Sequence, residues 1–125
     1  MFRPTNATAT IPAQDLERAK AFYADKLGLT PSDESPQEVT YRVGEGGFAL
    51  FPSSGKASGD HTQLGFDVDD IESAVTSLRE RGVVFEEYDF PGLKTENGIA
   101  ELEGERGAWF KDSEGNLISI GQRSG

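Results

Sequence analysis

The chain repeats itself, and the repeat limits what it can fold into. "DLERAKAFYADKLG" (Asp15–Gly28) opens on an N-capping Asp and carries Leu16, Ala19, Phe22, Tyr23 and Leu27 on one helical stripe before Gly28 stops it. "DDIESAVTSLRERG" (Asp69–Gly82) follows the same plan, with Ile71, Ala74, Val75 and Leu78 on one face and Gly82 as the stop; Asp69 and Glu72 have capping-box spacing. With Asp15 set against Asp70, "DLERA" matches "DIESA" at four identical or similar positions, and the terminal glycines fall within one residue of register. The pattern predicts an internal duplication.

Each helix follows a strand-like run, "ATATI" or "QLGFDV". Each precedes further ones: "EVTYRV" and "GFALF" in the first half, "VVFEEY", "IAELE", "AWFK" and "NLISI" in the second. The organisation is therefore α+β. A first module spans about 5–52, a polar, turn-rich linker "PSSGKASGD" covers 52–60, and a second module spans about 61–122. One helix and one small sheet cannot bury both faces, so the modules must share an interior, making residues 1–125 one domain.

Composition narrows the partners. Twenty-two acidic against twelve basic residues give a formal charge of -10, which repels phosphate backbones and anionic lipid headgroups; nucleic acid and membrane surface are poor partners. The acidity serves solubility first, and would secondarily favour a cationic ligand. The absence of cysteine excludes disulfides, thiolate metal sites and a cysteine nucleophile. "MFRPTNATAT" lacks the apolar run of a signal peptide and no segment is long enough to cross a bilayer, so a cytoplasmic location is expected.

Three stretches resemble the glyoxalase, bleomycin-resistance and extradiol-dioxygenase (vicinal oxygen chelate) superfamily: "IPAQDLERAKAFYADKLGL", "LGFDVDDIESAVTSLRERGV" and "WFKDSEGNLISI", the last similar to the family's F-x-D-P-D-G-N hairpin. The resemblance runs from about Thr5 to Gln122. It implies two βαβββ modules whose sheets curl into a cup with the helices outside, commonly in a homodimer, with the ligand in the cup. In metal-dependent members His, Gln or Glu side chains hold a metal there. Carried onto this chain, those positions are Thr8, a residue near Leu50, Gln63 and Ser119. None supplies an anionic or imidazole ligand, so no metal and no other cofactor is expected.

Other candidates carry plainer readings beside the functional ones. His61, the single histidine, would point into the cup at its rim, or simply be exposed at the linker's end. Glu101, Glu103 and Glu105 alternate and would share one strand face, more simply a solvated one. "GEGG" (44–47) lacks the helix and lysine of a phosphate loop and reads as a hairpin turn. "DFPGLKTENG" (89–98) is expected to be a long polar loop bordering the cup. Trp109 and Tyr41 would line a pocket or fill the core. The expected function is metal-independent binding of a small organic molecule in a cup lined by Thr8, Thr10, Gln63, Trp109 and Ser119, with His61 at its rim. The alternative is a metal-dependent lyase or dioxygenase of the same superfamily, and an enzyme working by acid–base groups alone is less favoured because no such group is placed inside the cup.

Overall fold

The computed structural model describes residues 1–123. The first module runs β1 (Ala9–Ala13), α1 (Leu16–Asp25), β2 (Asp33–Ser35), β3 (Glu38–Val43) and β4 (Gly46–Pro52). The second runs β5 (Thr62–Asp67), α2 (Ile71–Glu80), β6 (Asp89–Phe90), β7 (Leu93–Glu96), β8 (Ile99–Leu102), β9 (Glu105–Lys111) and β10 (Leu117–Arg123). Strand order is β1-β4-β3-β2 in one sheet and β5-β10-β9-β8-β7-β6 in the other. In each module the first strand pairs in parallel with the last, β1 with β4 and β5 with β10. The parallel pairing requires a crossover, and α1 and α2 lie on those crossovers. The architecture is the expected pair of mixed sheets with two helices.

The helices form where the apolar stripes place them, with one change at a cap. Asp15 accepts from the Arg18 N–H at 3.0 Å, and Asp70, not Asp69, accepts from the Ser73 N–H at 3.1 Å. Glu72, which the capping-box spacing assigned to Asp69, instead pairs with Arg106 at 3.1 Å. Gly28 and Gly82 end the helices at φ +69° and +92°, a left-handed conformation that costs an L side chain energy.

Alternation along the strands sorts residues to two faces. Ile11, Ala13, Val39, Tyr41, Phe48 and Leu50 pack with Ala19 and Tyr23 of α1. Ala108, Phe110, Ile118 and Ile120 pack with Ile71 and Val75 of α2. Phe22, Leu27, Leu64 and Phe66 pack against both clusters, so the two modules share one interior. β1 and β5, each an end strand of its sheet, come into contact without pairing.

Three sequence expectations are corrected. "VVFEEY" is not a strand: it makes only a bridge between Phe85 and Phe110, because Phe85 turns inward while Val84 stays 79% exposed. Residues 89–98 are not a loop but the β6–β7 hairpin, which extends the second sheet. Glu101, Glu103 and Glu105 do not share a face. A turn with Gly104 at φ +80° separates β8 from β9, sending Glu101 to Arg106 on the helix side and Glu105 to the opposite face.

Candidate ligand-binding site

Facing away from the helices, the two sheets present the surface expected to form the cup. In the first module Thr8 precedes β1 and Thr10 lies on it, both exposed, with Thr10 opposite Ala49. The position expected near Leu50 resolves against that residue: Leu50 is fully buried under α1, and its neighbours Ala49 and Phe51 face the cup. Tyr41 belongs to the core, stacked on Phe48 with ring centroids 4.8 Å apart. Burial, and then the nearby Glu34 carboxylate, pushes its phenol up to about 12.

The second module carries the richer face. Because Leu64 and Phe66 point into the core, Gln63, Gly65 and Asp67 point into the cup; because Ile118 and Ile120 do the same on β10, Leu117, Ser119 and Gly121 share that side. The register sets Gly65, Ser119 and Trp109 in one row across β5, β10 and β9, and Asp67, Gly121 and Gly107 in the next. The contacts agree. A Cβ built at Gly65 would come 3.0 Å from the Ser119 hydroxyl, and one at Gly107 would come 3.2 Å from the Trp109 indole.

Trp109 therefore folds back along its own strand over a glycine and remains half-buried, with the Tyr88 ring edge-on at 5.7 Å. Tyr88 in turn packs edge-on against Phe90 at 5.9 Å. The Gln63 amide oxygen is buried and has no hydrogen-bond partner among the described residues, an unsatisfied acceptor beneath this face. A recess of about 450 Å³ lies where the β3–β4 hairpin meets β5, reaching Gly65 and Asp67. His61 stands apart, exposed in the bend before β5.

The turn between β9 and β10 holds this face against the first module. Asp112 Oδ1 accepts from the N–H groups of Glu114 (2.8 Å) and Asn116 (3.0 Å); Asp112 Oδ2 accepts from the Tyr23 hydroxyl (2.8 Å) and Asn116 Nδ2 (2.9 Å). Asn116 Nδ2 also donates to the Pro12 carbonyl at 3.0 Å. Glu114 accepts from Arg18 Nε (2.7 Å) and Nη2 (2.9 Å), and from the Asp15 N–H (3.0 Å). The Arg18 hydrogen bonds, foremost, hold the Glu114 carboxyl down at about 2.

The residues at the family's metal positions do not fit a divalent ion. Thr8, Ala49 or Phe51, Gln63 and Ser119 offer hydroxyls, hydrocarbon and a carboxamide, with no charge to neutralise the metal. Among the described residues no group of three or more His, Asp or Glu side chains converges as a metal site. Thr8, Thr10, Gln63 and Ser119 do not titrate near neutral pH, so their side chains can offer a ligand hydrogen bonds and cannot serve as acid–base groups.

Sequence reasoning missed Tyr88, Asp67 and Glu105 on this face, and missed the glycines under it. The signal for the glycines was present: Gly65, Gly107 and Gly121 each stand two residues from Gln63, Trp109 and Ser119, the spacing at which strand residues share a face.

Comparison with known proteins agrees with this architecture. Among solved structures, the chain is similar to a glyoxalase/bleomycin resistance protein/dioxygenase from Nocardioides, with 22% identity, 98% of this chain and 85% of that one covered, and a TM-score of 0.68. It is similar to a lactoylglutathione lyase from Agrobacterium tumefaciens, with 22% identity, 96% and 95% covered, and a TM-score of 0.68. It is also similar to TnmS3, an antibiotic binding protein from Streptomyces sp. CB03234, with 20% identity, 98% and 100% covered, and a TM-score of 0.63. At these identities the likeness is one of fold. No curated protein matches the sequence. No helix among the described residues is long and apolar enough to cross a membrane. The family model described as glyoxalase/bleomycin resistance protein/dioxygenase superfamily matches residues 6–120, and the chain belongs to that superfamily.

Proposed function

We propose that this protein binds a small organic molecule in its cup without a metal ion, sequestering it and leaving it chemically unchanged. The observation that carries the reading is the donor set at Thr8, Ala49 or Phe51, Gln63 and Ser119, which has no ligand able to neutralise a divalent metal. Trp109 and Tyr88 supply an aromatic wall, and the unsatisfied amide oxygen of Gln63 an acceptor that a ligand reaches by a turn of that side chain. TnmS3, described as an antibiotic binding protein, shows that this fold serves binding in a relative.

Elemental analysis of purified protein, with thermal unfolding in added zinc, nickel, manganese or ferrous ion, tests this. Substoichiometric metal and no substantial rise in melting temperature are expected; a metal retained at one per chain, or a strong rise at near-stoichiometric metal, overturns the reading in favour of the lyase or dioxygenase alternative. A cytoplasmic homodimer is the proposed assembly, on the family resemblance and the absence of cysteine. Light scattering is expected to give twice the 13.5 kDa chain mass, and a monomer at micromolar concentration contradicts it.

A further inference from the structure

We propose that the cup's ligand is a flat organic cation rich in hydrogen-bond donors, an amidinium, guanidinium or protonated aromatic amine, with its charged head over Gly121 and its ring against Trp109. This rests on the cup being the ligand site and adds the ligand's chemical class. The register puts Gly121 between Asp67 on β5 and Gly107 on β9, all on the cup face. With glycine at both strand positions nothing projects over β10 and β9 in that row except neighbouring side chains. Glu105, on the same face of β9, leans inward: its Oε2 would lie 3.5 Å from a Cβ at Gly121. A group seated over Gly121 thus has Glu105 at contact range and Asp67 on the adjoining strand, about 5 Å across.

The two carboxylates nearest Gly121, Asp67 and Glu105, and the Gln63 amide oxygen all accept hydrogen bonds. Neither Asp67 nor Glu105 has a salt-bridge partner among the described residues. The Gln63 amide oxygen, one row beyond Gly65, is buried and unpartnered. Of the cations of this face, Lys111 pairs with Glu86 at 4.0 Å, and Arg123, across from Glu105 at the strand end, makes no ion pair among the described residues, which leaves two carboxylates against one guanidinium around Gly121. A ligand that brings donors and positive charge complements this excess of acceptors. Trp109, half-buried over Gly107 in the neighbouring row, offers a cation or cationic ring the negative face of an indole.

Because Trp109 is the only tryptophan, its fluorescence reports occupancy directly. The probes are 9-aminoacridine, cationic at neutral pH, acridine, neutral, and acridine-9-carboxylate, anionic, titrated into the intact protein. The expected result is quenching by all three with 9-aminoacridine at least about fivefold tighter than acridine, as two exposed charge contacts provide, and the anion weakest. The paired changes Asp67→Asn and Glu105→Gln, isosteric at exposed positions, are expected to abolish the cation's advantage, so that 9-aminoacridine and acridine bind the variant with equal affinity. Equal affinity for the three probes, or a cation preference that survives both substitutions, overturns the charge assignment while the cup reading stands. Failure of every probe to perturb Trp109 overturns both.

Discussion

At the scale of single residues, the turn "DSEG" does more than reverse the chain. Asp112 closes the turn by accepting two backbone N–H groups, and its second oxygen reaches Tyr23 in the first module. Glu114, its side chain only 1% exposed, ties the same turn to the first turn of α1 through Arg18 and the Asp15 N–H. The sequence shows the turn, since Gly115 at φ +86° ends it as expected, but not its partners. Nothing local in Arg18 or Tyr23 reveals a contact nearly a hundred residues away. Replacing Glu114 by Gln keeps the shape and removes the charge. Urea unfolding at pH 7 is expected to show a loss of about 1–2 kcal/mol. The sign with pH follows from a carboxyl held below its ordinary value: its contribution is full above about pH 4.5, falls as pH drops below that, and is gone as pH passes about 2. The gap between the two proteins should close over that window; a gap that is constant from pH 7 to pH 3 contradicts the ion-pair account.

At the scale of elements, helices were legible and the edge of the second sheet was not. The stripes of α1 and α2 name the residues that pack, Ala19 and Tyr23 in one and Ile71 and Val75 in the other. Residues 83–98 misled in two ways, the apolar start of "VVFEEY" suggesting a strand and the polar composition of 89–98 a loop. They are ordered by side-chain bonds that composition does not reveal: Thr95 Oγ1 accepts from the Tyr88 N–H at 2.8 Å and donates to Glu87 at 2.5 Å, and Glu87 accepts from the Gly98 N–H at 3.0 Å. This knot sets the segment that carries Tyr88 to Trp109. Thr95→Val keeps the volume and removes the hydroxyl. Amide exchange in β6 and β7 is expected to accelerate by about tenfold or more, with β9 and β10 little changed, as a lost bond in a locally opening unit requires. Unchanged exchange would show that backbone pairing alone holds the hairpin.

At the scale of the whole molecule, the duplication told most. Two copies of one plan, each with a sheet face to cover, imply a shared interior, and Leu64 and Phe66 of β5 fulfil it by packing on both clusters. The cup was legible only as far as Thr8, Thr10, Gln63, Trp109 and Ser119. Which side of β4 faces it depended on strand alternation that a run of apolar residues, Phe48 to Phe51, conceals. The central claim is that a ligand occupies the cup, against Trp109, with no metal between. Titrating a panel of flat organic molecules into the protein while following the emission of its single tryptophan, with and without EDTA, tests it most directly. We predict at least one ligand that quenches Trp109 with the same affinity in both conditions and whose binding, followed by calorimetry, weakens at least about tenfold on Trp109→Leu; ligand binding that disappears with EDTA and returns with one equivalent of a divalent metal would contradict the account.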